Sequence, residues 1–262
     1  MAQVDLNCDL GESFGAYTIG LDDQVIPHVT SANIACGAHA GDPNVMRNTV
    51  RCAHAAGVAI GAHPGYPDLM GFGRRALAMS PNDVYASILY QVGALAAFAK
   101  AEGAQLHHVK PHGALYNAAA KNATLAQAIA QAVKDFDDQL ILVGLAGSES
   151  IVAAQNVGLR TASEFFADRA YQENGALVPR TLAGAVITDK QKAIERTLRA
   201  VKEGVVESET GTVIPIAADT ICIHGDNPAA VAFAAEIHAA LEAAGVTVCA
   251  LQPRHRQVSG RR

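Results

Sequence analysis

The sequence predicts an α/β protein built as a single-domain (β/α) barrel, and three observations point to it. Short β-leaning apolar runs alternate with alanine-rich helical stretches about seven or eight times along the 262 residues, as expected for parallel strands joined by helical crossovers. Several of those runs carry polar residues at every second position. Several also stop on a histidine or a carboxylate, just before glycine or proline. Alternation alone suits an open doubly wound sheet equally well, so the polar positions decide. An unpaired charge buried in an apolar sheet costs several kcal/mol. Polar faces on several strands are tolerable where they face one another around a wet mouth, which a closed barrel supplies.

The elements follow in order. VDLNCDL near the N-terminus alternates Val4, Leu6 and Cys8 with Asp5, Asn7 and Asp9, giving one face to helices and one to polar partners. SANIAC extends toward His39, which shares a face with Asn33, Ala35 and Gly37 if the strand stays regular. Asp42 and Pro43 then read as the N-cap and first position of a helix reaching Ala56. VAIGAH closes on His63 before the breakers Pro64, Gly65 and Pro67. A helix over 80–102 opens with SPND and ends at Gly103. LHHVKPH (106–112) places Leu106, His108, Lys110 and His112 on one face. LILVGL (140–145), LRTASEF (159–165), TICIHG (220–225) and VTVCAL (about 247–251) complete the strands, with helices over 188–203 and 227–244. In TICIHG and the residue after it, Cys222, His224 and Asp226 fall together. Segments 168–186 and 205–218 read as irregular insertions, a hairpin or a lid. Residues 1–251 form the barrel domain and 252–262 a polar, basic tail.

Composition narrows the function. Half the chain is hydrophobic and 17% is charged, an ordinary globular profile. A net charge of −5, without aromatic residues interleaved among basic ones, excludes the usual nucleic-acid binders. No apolar run reaches the roughly 18 residues of a membrane span. The five cysteines lie almost entirely in apolar runs and form no CxxC pair, which predicts reduced core thiols. MAQVDLNCDL lacks the features of a signal peptide, so the expected location is cytoplasmic. Neither GxGxxG, GxxxxGK[ST] nor GxSxG occurs.

Active sites of α/β barrels gather at the C-terminal ends of the strands. Asp9, His39, His63, Lys110, His112, Glu164 and His224 all fall at such ends. Other polar residues have plainer readings. Asp42 is a helix cap, and His54, His107 and His238 are solvated helix or outward strand residues. Arg74 and Arg75 are surface charges, or a bidentate clamp for a carboxylate. Histidines with a neighbouring carboxylate suit a metal that activates water. The same set suits metal-free acid–base chemistry with an oxyanion held by lysine. Both remain open on these residues alone.

DLNCDLGES (5–13), SANIACGAHAGD (31–42), GAHPGYPD (61–68), GFGRR (71–75), VKPHGALYN (109–117), EFFADRAY (164–171) and IHGDN (223–227) together resemble the LamB/YcsF family over essentially the whole chain. The resemblance implies an irregular (β/α) barrel of about seven parallel strands, related to the glycoside hydrolase/deacetylase superfamily. It implies ATP-dependent opening of 5-oxo-L-proline to L-glutamate within a 5-oxoprolinase, alongside subunits B and C, with ATP and Mg²⁺ as co-substrate. On that basis Asp9, Glu12, Lys110 and His112 are the expected catalytic residues. Asn7, His39, His63, Arg74, Arg75, Glu164, Arg169 and His224 are expected to bind substrate or ATP, with the glycine-rich 65–75 stretch as one candidate nucleotide site. By analogy with metal-dependent relatives, Asp9, His63 and His112 are candidate ligands for a divalent ion. The alternative is a metal-dependent deacetylase or amidohydrolase that acts on a sugar or small amide without ATP.

Overall fold

The computed structural model describes residues 2–223 and 228–252. Seven parallel strands close into a barrel: β1 (Gln3–Leu10), β2 (Ser31–Ala35), β3 (Ala59–His63), β4 (Leu106–Val109), β5 (Ile141–Leu145), β6 (Arg160–Phe166) and, after the hairpin described below, β9 (Thr220–Ile223), which pairs with both β6 and β1. The hairpin is β7 (Val205–Glu207) against β8 (Val213–Pro215). β10 (Thr247–Val248) adds a short parallel pairing at Gln3 and Val4, and so sits at the N-terminal end of the barrel. Of the basic tail, residues 253–262 lie outside the described residues.

The helices are α1 (Asp22–Val25), α2 (Pro43–Ala55), α3 (Pro81–Ala101), α4 (Gly113–Ala119), α5 (Ala123–Phe136), α6 (Glu149–Asn156), α7 (Lys190–Glu203) and α8 (Pro228–Ala243). Asp42 caps α2 by accepting from the N–H groups of Asn44 and Val45, and Ser80 caps α3 from Asp83 N–H. The three helices α4 to α6 carry weaker sequence signals, because their alanine-rich stretches lack a proline start. Asn122 nevertheless caps α5 at Leu125 N–H. α3 is long and apolar enough to cross a membrane by length and composition. Its Val84, Ile88, Val92, Leu95 and Ala99 are instead buried within the protein's core.

Two layers of core result. The large one lies between barrel and helices and takes the outward residues Val4, Leu6, Cys8 and Leu10 of β1. The barrel interior is polar, except for a small apolar cluster of Ile141, Val143 and Ala162, packed with Leu251 toward the N-terminal end. Two local expectations need correction. β2 ends at Ala35, so His39 lies in the turn beyond it and not on the regular strand face. His107 is not solvated, because it is partly buried and bonded through Nε2 to the Leu251 carbonyl at 2.6 Å. The five cysteines are free thiols, with Cys8, Cys36 and Cys222 buried.

Candidate active site

The inward residues of the strands form a hydrogen-bonded column that rises to the C-terminal mouth. At its foot Asp5 accepts from the hydroxyls of Thr30, Ser31 and Thr220 at 2.5–2.6 Å. Asn7 donates to Thr220 at 2.7 Å, and Asn33 donates to Asn7 at 2.7 Å and to Asp9 at 2.9 Å. The buried His108 ring bonds to Asn33 through Nε2 at 2.7 Å and lies across the space that a Cβ on Gly61 would fill. Each of these buried polar groups is thereby answered by another, which makes a polar interior tolerable.

Lys110 follows the last residue of β4 and is buried beneath the mouth. Its ammonium lies 2.7 Å from Glu164, 2.9 Å from Asp9 and 3.1 Å from Asn7, with Cys222 Sγ at 3.4 Å. Burial alone would lower its pKa, but the Asp9 charge leads several that hold it well above the ordinary lysine value. An ammonium has three protons, and its hydrogen bonds run to Asp9, Asn7 and Cys222, with Glu164 paired to it by charge. Lys110 thus holds Asp9, Asn7 and Glu164 in place while also lining the cavity above them.

Above it, three histidines and two carboxylates crowd together. His63 ends β3, His112 is the N-cap position of α4, and His39 stands on the turn after β2. His39 and His112 stack with centroids 3.7 Å apart and planes 2° apart, and His63 meets both rings edge-on. Gly65 and Gly73 make this possible. A Cβ at Gly65 would stand 2.8 Å from His39 Nδ1, and one at Gly73 would stand 2.7 Å from His39 Cβ and 2.9 Å from His112 Cδ2. Gly71 likewise leaves room for the pairing of Asp68 with Arg75. The glycines of 65–75 thus make room for histidine and arginine packing, and the N–H groups of Gly65, Gly71 and Gly73 are bonded to Gln91 and Asp68.

Burial favours the neutral form of three rings. His39 and His108 are held well below the ordinary histidine range, and His112 is lowered to about 3. The carboxyls diverge. Burial pushes Asp9 up, but the His63 and Lys110 charges outweigh it and hold Asp9 well below the usual range. Burial, reinforced by the Asp9 charge, raises Glu12. Two carboxyl groups with opposed shifts divide acid–base roles, with Asp9 the fixed anion and Glu12 the group able to exchange a proton.

The histidine tautomers test whether a metal fits. His63 Nδ1 donates to the Lys110 carbonyl at 2.7 Å, and His112 Nε2 donates to the Phe72 carbonyl at 2.9 Å. The neutral His112 ring thus turns its Nδ1 lone pair on His63 Nε2, 3.0 Å away, and that His63 nitrogen also lies 3.2 Å from Asp9. Two ligand nitrogens each about 2.1 Å from one ion are separated by roughly 3.0–3.4 Å. His39 Nε2 lies 3.2 Å from Glu12 Oε1, which lies 3.5 Å from His112 Nδ1. Ligand atoms of Glu12, His39, His63 and His112 fall within 4.8 Å of one another. The donor set fits a divalent cation, with second hydrogen bonds orienting two of the rings. The carboxylate of that set is Glu12, whereas Asp9, expected as a ligand, borders it through His63 at 3.2 Å.

A cavity of about 490 Å³ opens above these groups, lined among others by Asp9, Glu12, His63, Arg74, Lys110 and His112. The expected arginines separate. Arg74 lines the cavity and stacks 5.0 Å over Phe72. Arg75 does not line it, because Asp68 engages its guanidinium. Arg169 lines it but is buried and committed to the carbonyls of Val178 and Ala185, tying segment 168–186 against the barrel. Arg180, Lys121 and Tyr116 also line the cavity, and sequence reasoning does not find them. Arg180 and Lys121 stand outside any strand pattern, and Tyr116 lies in an unmarked helix. Asn7 and Glu164 sit below the cavity in the column, and His224 lies outside the described residues.

Fold and site together define a closed (β/α) barrel with an acid–base and histidine cluster at its C-terminal mouth. Residues 4–256 match the model of the LamB/YcsF family. The chain belongs to the LamB/YcsF family. It is 57% identical to the 5-oxoprolinase A subunit of Geobacillus thermodenitrificans, over 98% of this chain and 100% of that one. It is 55% identical to the corresponding 5-oxoprolinase A subunit of Bacillus subtilis, over 96% and 98%. The solved lactam utilization protein from Thermus thermophilus superposes with a TM-score of 0.90 at 53% identity, covering 95% of this chain and all of that one.

Proposed function

We propose that this chain opens the lactam ring of 5-oxo-L-proline to L-glutamate, coupled to ATP hydrolysis, as one component of a cytoplasmic 5-oxoprolinase with subunits B and C. The relatives named above support the lactam and the assembly. The observation that carries the chemistry is the meeting, at one cavity, of a raised carboxyl (Glu12), a fixed anion (Asp9) and the cations Arg74 and Arg180.

Glu12 takes a proton from the attacking water, whose oxygen bonds to the lactam carbonyl carbon. The ring C–N bond then breaks and the nitrogen leaves with a proton, giving the free amino group. Asp9, anchored by Lys110 and Asn33, keeps its charge and orients His63. Arg74 and Arg180 hold the substrate carboxylate. A divalent ion held by Glu12, His39, His63 and His112 would polarise the carbonyl and ease deprotonation of water.

The coupling has a physical basis. In the opened product the amine stays beside its own acyl group, and effective molarities for such intramolecular reactions reach about 10⁵–10⁸ M. Phosphorylation of the lactam oxygen by ATP with Mg²⁺, which releases ADP, makes the ring carbon a better electrophile. Water adds there, and the C–N bond breaks to leave an acyl phosphate. Hydrolysis of that acyl phosphate by a second water releases phosphate and draws the opening forward. Since the glycines of 65–75 are occupied by side-chain packing, we place the nucleotide on a partner subunit.

Glutamate and ADP release from 5-oxoproline and ATP tests this. Turnover is expected only with this chain, B and C together. Release from an N-acetyl sugar or small amide without ATP would instead establish the amidohydrolase alternative, which the close approach of Glu12, His39, His63 and His112 favours. A titration of chelator-treated protein with Zn²⁺ or Mn²⁺, followed by calorimetry and melting temperature, should show one site per chain. That site should be lost in His63→Ala and His112→Ala, and unchanged melting at saturating metal would overturn it.

A further inference from the structure

The loops at the C-terminal end of the barrel, where the cavity opens, carry large apolar side chains that the fold leaves uncovered. Among the described residues, seven of ten exposed large apolar side chains lie on loops leaving the C-terminal ends of strands. Phe14, Tyr17 and Ile19 follow β1, Leu69 and Met70 follow β3, and Leu182 and Val186 follow β6. Tyr17 is 74% exposed, Met70 93% and Leu182 54%. Scattered single apolar residues need no explanation, but a group at one end of the barrel marks an interaction site.

These residues stand on fixed turns. Phe14 and Tyr17 close a tight turn with mutual backbone bonds of 2.9 and 3.0 Å, and Asp42 holds Gly15 N–H at 2.9 Å. Ser13 grips Ile19 from both sides, donating to its carbonyl at 3.2 Å and accepting from its N–H at 3.0 Å. Met70 sits in a single 3₁₀ turn (Leu69–Gly71) held by Asp68, which accepts from Gly71 N–H at 3.0 Å and engages Arg75. Leu182 N–H bonds to Pro179 carbonyl at 2.9 Å, and Ala170 N–H to Ala185 carbonyl at 3.0 Å. Large side chains held outward on ordered backbone lose little freedom on docking. Tyrosine and methionine are also enriched in the centres of protein interfaces.

The charge inside the cavity says what covers it. Arg74, Lys121 and Arg180 line the outer cavity and are exposed, a cationic funnel suited to a phosphoryl group. The chain's own glycine-rich stretch is taken up by histidine and arginine packing.

We infer that the mouth face is the docking surface for the partner subunit that carries the nucleotide, seated on the Tyr17, Met70 and Leu182 turns with its phosphoryl donor over Lys121, beside the Arg74 and Arg180 that hold the substrate carboxylate. This rests on the multi-subunit reading above. Docking there seals the cavity from water while a phosphorylated lactam is present.

Hydrogen exchange of this chain, alone and with subunits B and C, locates the interface. Protection is expected at 13–20, 68–72 and 178–186. Tyr17→Asp, Met70→Asp and Leu182→Asp should each weaken association by roughly 30-fold or more with unchanged melting temperature, whereas Tyr90→Asp and Val152→Asp on outer helices should not. A complex that forms without protection at those turns, and tolerates all three substitutions, overturns the docking face and leaves the catalytic reading intact. Absence of any complex with the wild-type chain overturns the assembly reading, and the docking face with it.

Discussion

Lys110→Met should destabilise the protein by about 3–5 kcal/mol, the usual result of removing one partner from a buried ion pair. Methionine matches the stem in length but answers none of the oxygens at 2.7, 2.9 and 3.1 Å. Glu164, fully buried, and Asp9 would then repel each other without a countercharge. Typical stabilities of about 5–15 kcal/mol make this a large fraction of the total. Lys110→Arg should not rescue, because a planar fork cannot point three protons at a compact trio. The double variant Lys110→Met, Glu164→Gln should recover part of the loss by removing one uncompensated charge. Urea midpoints of the singles and the double close the cycle. A Lys110→Met protein as stable as wild type would show that the ammonium is not the column's keystone charge.

Acidification is the second large effect. His39, His108 and His112 are all held below their ordinary value of 6.5 in the fold, His112 at about 3. Below about pH 6.5 the unfolded chain takes up protons that the folded chain refuses. The stability these rings contribute is therefore fully present above that pH and is lost as pH falls. Each costs up to about 1.4 kcal/mol per pH unit once well below its unfolded pKa. Asp9, depressed in the fold, adds a further loss below its unfolded value of 3.8. Asp5 and Glu12, both raised, work in the opposite sense and soften the decline as they protonate. Urea midpoints measured from about pH 7.5 down to about 4.5 should drop steadily from about pH 6.5. A flat profile to about pH 5 would contradict the neutral, buried state of the rings.

Much of this is legible in the sequence. The alternation of Asp5, Asn7 and Asp9 with Val4, Leu6 and Cys8 foretells a strand with one polar face, and burial of both faces fits the closed barrel. The stop on His63 foretells a rim residue, because a two-residue period survives any tertiary detail. What stays hidden depends on neighbours remote in sequence. Whether Lys110 can spare a proton depends on Glu164, 54 positions away along the chain. Arg75 and Arg169 read as free cations until Asp68 and two carbonyls claim them. Arg180 carries no periodic signal, since its loop has none.

The apolar cluster of Ile141, Val143 and Ala162 with Leu251, beside the bond from His107 to the Leu251 carbonyl, closes the floor of the barrel. Among the described residues, the cavity opens at the opposite, C-terminal end. On the proposed reaction, substrate, water and product would share that opening, so entry and exit would compete for it. A partner resting on that doorway turns catalysis into a sequence of openings and closings, with product escape timed by its departure.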